Sequence, residues 1–234
     1  KLKSFFPEIK EKIIFQNNDL EIEYKKNEIS VIGDGKILLQ DNDDKISYKI
    51  KKTKKDLKFE TFIRISNNPL NIDLLNYSKD GDFLINLKGK KKNNEISLDL
   101  LSLEENDNTF NVKNLEFNKK KQIKKIGKVD LDYFDNDNKK NSILLTKKDK
   151  GYVLKGSYLN ANNFLENILK DKNENSKILN IDALLKIRID KIRIDKNTEL
   201  SNLNGNLLFK NQNIIKGNLE GFFSEDEKLK FTVN

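Results

Sequence analysis

The chain has 234 residues, 36% hydrophobic and 35% charged, with a formal net charge of +8. This is poor in oil for a closed two-layer globule, and it suits a sheet with one wet face or one curled around its own apolar face. Cys, His, Met and Trp are absent, which excludes a disulfide framework and a thiolate metal site and removes the commonest general base.

Alternation of apolar and polar residues predicts strands near 12–16, 20–24, 28–32, 36–39, 45–51 and 57–65, then near 70–77, 82–88, 95–101, 109–117, 128–134 and 142–146. The segments between them carry turn chemistry: Gly33-Asp34-Gly35 reads as a hairpin turn, and 41–44, Asn67-Asn68-Pro69, Lys79-Asp80-Gly81 and 135–138 as linkers. Over 160–170 the period changes: Ala161, Phe164, Leu165, Ile168 and Leu169 fall at helical spacing behind Asn160 as N-cap, which predicts one short helix. A polar linker follows at 171–177.

Strands resume near 178–189, 191–194, 205–209, 213–223 and 228–233. The alternation is clearest at Ile181, Ala183, Leu185, Ile187 and Ile189, and it slips by one residue before Ile192, where a bulge or bend restores the apolar side. Gly217 and Gly221 thin the face they share with Leu219, the mark of close packing or a sharply curved strand. The expectation is an antiparallel β-meander in one domain, 1–234, with a weak internal boundary at 158–177 acting as a crossover.

No constellation carries catalysis. The pairs in Asp41, Asp43 and Asp44, and in Asp135 with Asp137, have calcium-like spacing but no EF-hand loop around them, so they read as turns. Glu104-Glu105 and Glu225-Asp226-Glu227 sit in expected loops whose neighbours offer neither desolvation nor a strong charge partner. No Walker lysine pattern follows the glycines at 33 and 35.

Basic clusters at 88–92 and 119–125 are lysines, with Arg only at 64, 188 and 193, so they predict a diffuse field and no specific nucleic-acid partner. Lysine at strand ends also blocks edge-to-edge aggregation. The expectation is a non-enzymatic chain with no cofactor and no metal. It starts at Lys1 without Met and stops at Asn234 in an expected strand, which reads as an internal piece of a longer protein, and it contains no apolar run of bilayer length and no signal-peptide pattern.

Residues two apart share a face, so Ile46, Tyr48, Ile50, Phe83, Ile85, Leu87, Ile96, Leu98, Leu185 and Ile187 are the candidate lining of an apolar surface. Ser47, Lys49, Lys186 and Arg188 fall on the opposite face.

The succession Gly156-Ser157-Tyr158-Leu159-Asn160-Ala161, the short helix ending in 165–169, Ile181-Asp182-Ala183-Leu184-Leu185-Lys186-Ile187, the stretch 200–205 and Ile215-Lys216-Gly217-Asn218-Leu219-Glu220-Gly221 resembles the AsmA-like proteins, nearest the YhdP and TamB branch of Gram-negative bacteria. Upstream, Ile32-Gly33-Asp34-Gly35-Lys36-Ile37, Ile46-Ser47-Tyr48-Lys49-Ile50, Leu75-Asn76-Tyr77 and Leu87-Lys88-Gly89 are compatible with it. The resemblance implies a half-open, taco-like β-groove in a long periplasmic parent protein anchored in the inner membrane. It also implies a role in moving phospholipid between the inner and outer membranes, with acyl chains as partners. The rival reading is a structural or adhesion β-module with a closed apolar core, and a weaker one is a nucleic-acid-binding sheet.

Overall fold

The structure is a computed structural model that describes residues 12–149, 151–170, 182–210 and 213–234. It is mainly β, with one large mixed sheet and one short α-helix among the described residues. The first half contains β1 (Ile14–Lys25), β2 (Glu28–Leu38), β3 (Asp43–Thr53), β4 (Asp56–Ile65), β5 (Asn71–Ile72), β6 (Tyr77–Ser78), β7 (Phe83–Lys92), β8 (Glu95–Glu105) and β9 (Asn108–Phe117). The second half contains β10 (Ile123–Lys125), β11 (Lys128–Phe134), β12 (Lys140–Lys148), β13 (Gly151–Asn160), helix α1 (Asn162–Lys170), β14 (Ala183–Arg193), β15 (Glu199–Lys210), β16 (Asn213–Phe222) and β17 (Lys228–Val233).

Among the described residues fourteen strands lie side by side in the order β1-β2-β3-β4-β7-β8-β9-β11-β12-β13-β14-β15-β16-β17, with β10 attached to β9, while β5 and β6 form a separate two-stranded ladder. Asparagine builds many of the turns. Asn27, Asn93, Asn94, Asn106 and Asn138 all take positive φ, a conformation that Asn tolerates better than most residues. Between Lys92 and Glu95 both turn residues are of this kind, which matches the twist of a two-residue hairpin.

Several expectations are corrected. Gly33-Asp34-Gly35 is not a turn but the middle of β2, and a Cβ on Gly33 would stand 2.5 Å from the Tyr48 ring and 2.8 Å from Leu20. Glycine is there to admit its neighbours. The stretches 12–16 and 20–24 join into β1, interrupted by a register shift at Asn17, where φ is 47°. The expected strand at 70–77 is instead β5, a 3-10 turn at Asp73–Leu75 and β6. β10 and β13 were not expected.

The meander is not wholly antiparallel. β13 and β14 pair in parallel, because the chain leaves β13 through α1 and re-enters the sheet beside it running the same way. Both sides of the expected boundary therefore belong to one continuous sheet, and the linker 171–177 and the beginning of the 178–189 strand lie outside the described residues. The slip before Ile192 is a bend in one strand: Ile189 and Ile192 are both buried opposite Leu203 and Leu200, with Asn202 between the latter at φ 53°.

Candidate functional site

The sheet sorts its side chains by face along its full width. One row of cross-strand partners runs Leu20, Gly33, Tyr48, Thr61, Leu87, Leu101, Val112, Val129, Leu145, Leu154, Ile187, Gly205, Leu219 and Phe231. Thr61 is the one polar side chain in it. The neighbouring row on the other face runs Asp19, Asp34, Ser47, Phe62, Asn86, Ser102, Asn111, Asp130, Leu144, Lys155, Arg188, Asn204, Glu220 and Lys230, with apolar residues only at Phe62 and Leu144.

One end of the apolar face is stopped. Leu70, Ile72 and Tyr77 fold back over it and pack into a cluster with Ile37, Ile46, Ile65, Phe83, Phe110 and Tyr133. The rings of Phe83 and Phe110, two strands apart, have centroids 6.4 Å apart, closer than two strand spacings of about 4.8 Å, so these side chains lean together over β8. Beyond Leu131 a second cluster gathers Ile143, Ile189, Ile192, Leu200 and Leu203 beneath Ala161 and Leu165 at the start of α1. The two coverings meet where Asn163 Nδ2 donates to the Asp73 carbonyl at 2.8 Å.

Buried polar groups fasten this stop. Asp44 accepts from the backbone N–H of Ser66 at 2.8 Å and from Asn68 Nδ2, and Gln40 donates to the Pro69 carbonyl at 2.7 Å. Glu105 accepts from the Tyr77 hydroxyl and from the N–H groups of Asp80 and Gly81. Glu105 therefore corrects the expectation of an undesolvated loop carboxylate: it closes β8 and is 3% exposed. Burial, then the Glu105 contact, pushes the Tyr77 hydroxyl far above its ordinary pKa. On the other side Asp135 takes the N–H groups of Asp137 and Lys139, which is the turn role expected of it, and also receives Asn160 Nδ2 at 2.8 Å.

Away from the stop the face is less covered. Ile50, Phe59, Leu87, Val112, Val129 and Leu145 are half-buried, as is Leu154, which packs against the second cluster. All ten candidate lining residues lie on the apolar face, but they divide. Ile46 and Phe83 are locked in the core cluster, with Tyr48 and Ile85 packed against it, and Ile187 packs against the second cluster. Ile50, Leu87, Ile96 and Leu185 are half-buried, and Leu98 is buried beside Gly89. Ser47, Lys49, Lys186 and Arg188 are exposed on the other face. Sequence reasoning missed Leu70, Ile72 and Tyr77 as a cover, because their spacing imitates a strand.

The two ends also differ in charge. Turns at the stopped end carry Asp41, Asp107, Asp137, Asp195 and Glu225-Asp226-Glu227, whereas the turns and the strand ends beside them at the far end carry Lys25-Lys26, Lys54-Lys55, Lys91-Lys92, Lys119-Lys120-Lys121 and Lys147-Lys148. An open cavity of about 1050 Å³ lies at the lysine end, where Lys90, Lys113, Lys125 and Lys128 stand with Ile96, Leu98 and Phe117. Lys125 lies 2.8 Å from Glu116 and holds that carboxyl below its usual range. Among the described residues no cluster of three metal-ligating side chains forms, and no helix is long and apolar enough to cross a membrane.

No protein-family model, no curated protein and no solved structure matches this chain.

Proposed function

We propose that this chain is a non-enzymatic segment of an AsmA-like lipid-transport protein, in which the apolar face acts as a groove that shields phospholipid acyl chains from water. The observation that carries this reading is the row of cross-strand partners, apolar or glycine at every strand but one, that crosses all fourteen strands and is half-buried over most of its middle. Covering such a face with an acyl chain contributes about 0.8 kcal/mol per buried methylene. A uniform wall of Leu, Ile and Val sets no preferred register, which favours sliding over capture. The lysine turns at the uncapped end supply attraction for anionic headgroups. In this reading the parent protein is periplasmic, anchored in the inner membrane, and serves traffic between the two membranes.

The competing structural or adhesion module draws on the stopped end, where Ile65, Phe83 and Tyr133 are wholly buried. Photocrosslinking in cells separates the two. A photoreactive residue at Leu87, Leu154 or Leu185 is expected to label phospholipid, and one at Ser47, Lys49, Lys186 or Arg188 is not. Equal labelling from both faces, or none from either in a folded protein, leaves the structural module standing.

A further inference from the structure

The polar face of the sheet collects lysines at one place. Toward the lysine end, register sets Lys51 opposite Lys58 and Lys58 opposite Lys90, then Lys113 opposite Lys128 two strands further on. Like charges directly opposite one another on a sheet are destabilising. Among the described residues Lys58, Lys90 and Lys113 make no ion pair that would offset this. Lys51, Lys125 and Lys128 do pair, with Glu28 at 3.3 Å, Glu116 at 2.8 Å and Asp130 at 2.7 Å, but such exposed pairs are weak.

The backbone loses its regularity at the same place. Asp99 of β8 and Asn114 of β9 lie between two paired positions, Leu98 with Leu115 and Leu100 with Lys113. The next position across, Gly127, sends its N–H to the carbonyls of both Lys113 and Asn114. Asp99 is the extra residue of β8 against β7, Asn114 takes φ 54°, and a Cβ on Gly127 would stand 2.7 Å from that of Asn114. Three neighbouring segments are thus creased along one line, and breaks of this kind bend a sheet and re-aim its side chains. All three residues line the open cavity of about 1050 Å³. Among the described residues its lysines outnumber its carboxylates seven to four. A smaller hollow of about 420 Å³ continues it past Lys90 toward Lys58 and Lys51.

We propose that this creased trough is a binding site for a ligand carrying two or more phosphate groups. Lysine meets phosphate as a point charge, without the fixed fork of Arg, so lysines around a hollow read charge more than shape. Lys113 and Lys128 stand one strand spacing apart, and the backbone of Lys90 lies about 12 Å from that of Lys113 by strand spacing and rise. A single carboxylate cannot answer charges so spread, whereas linked phosphates can. Ser97 and Asn114 add neutral donors to the lining, and Glu116 is the carboxylate set among the lysines, opposite Ser97 and held by Lys125. Lys90, Ser97, Glu116 and Lys125 form one cross-strand row on the polar face. The trough therefore opens away from the apolar row and does not rest on the acyl groove.

Isothermal titration calorimetry of the 234-residue chain with inorganic tripolyphosphate at low salt tests this, with saturable binding expected. Lys113→Gln with Lys128→Gln should weaken it at least about tenfold. Lys54→Gln with Lys55→Gln removes the same charge at the same end but outside the trough, and should change it less than about twofold. Glu116→Gln should tighten binding, because it removes a repelling carboxylate and releases Lys125. Tripolyphosphate should raise the melting point of the wild type and not that of the Lys113 and Lys128 double variant. Cosedimentation with phosphatidylcholine vesicles doped with phosphatidic acid then locates the phosphates. Vesicle binding that falls in the same double variant places them on a lipid surface, and vesicles left unbound place them on a soluble molecule. Equal losses from both lysine pairs would reduce the trough to a diffuse field and overturn the proposal. So would the absence of saturable binding to both probes, or a trough that takes duplex DNA and neither phosphate probe. Lipid labelling of the apolar face is read separately and does not depend on the outcome.

Discussion

The hydroxyl of Tyr77 donates to the carboxylate of Glu105, and this one contact ties the segment stopping the apolar face to the end of β8. Glu105 spends its other oxygen on the N–H groups of Asp80 and Gly81, so a single buried side chain holds both the cover and the chain's return into β7. Tyr77→Phe should leave the carboxylate short of a donor and cost about 1–3 kcal/mol. Glu105→Ala should cost more, since it strands two backbone N–H groups and the phenol together. Urea titrations followed by circular dichroism check both, and a Glu105→Ala variant as stable as the wild type contradicts this role.

The same tyrosine sets an alkaline limit. Burial raises the pKa of Tyr77 and of Tyr133, whose hydroxyl donates to the Leu75 carbonyl at 3.1 Å, and burial pushes Tyr158 to about 12. Each folded pKa lies above the unfolded value of about 10. The folded state therefore holds these protons more tightly, and the associated stability is whole below about pH 10 and is lost as pH rises toward the folded values. Spectrophotometric titration should show part of the tyrosine absorbance change delayed and arriving together with unfolding. Tyr133→Phe should shrink that delayed component.

Most of the strands, though not β10 or β13, were legible because a two-residue period survives any register, and the helix because its period differs. What escaped was set by long-range contact. Gly33-Asp34-Gly35 has turn composition, yet the Tyr48 ring of the next strand decides that glycine belongs inside β2. The 70–77 stretch alternates like a strand, but its apolar side chains serve better as a cover over Phe83 and Phe110. Glu105 gave no sign of burial, since nothing local reveals that Tyr77, twenty-eight residues away, comes to it. The apolar face could be read from spacing. Which part of it is stopped could not.

Glycine at the centre of β15 is the least replaceable. Gly205 sits at φ 149°, and a Cβ there would stand 2.0 Å from the Asn218 carbonyl oxygen, a backbone atom that cannot turn aside. Gly205→Ala should cost about 1–3 kcal/mol from the strained conformation, with further loss from separating β15 and β16. Gly221→Ala, whose Cβ would meet nothing closer than 3.5 Å, should be tolerated. Thermal melts of the two variants side by side make the comparison, and equal melting points would show that the close approach has no weight.

A charge placed along the apolar face should act differently at its two ends. Phe83 is fully buried among Tyr77, Phe110 and Ile65, so Phe83→Asp strands a carboxylate in a packed cluster and should unfold the chain or cost about 4 kcal/mol or more. Leu185 is half-buried toward the lysine end and lies outside both clusters, so Leu185→Asp leaves its carboxylate partly hydrated and should cost about 1 kcal/mol. If acyl chains travel over this face, Leu185→Asp imposes a desolvation penalty on each passing chain, and lipid labelling from the neighbouring position Leu154 should fall while the fold persists. A structural module has no such traffic. In that case Leu185→Asp should lower stability slightly, and Leu154 should be unlabelled in wild type and variant alike.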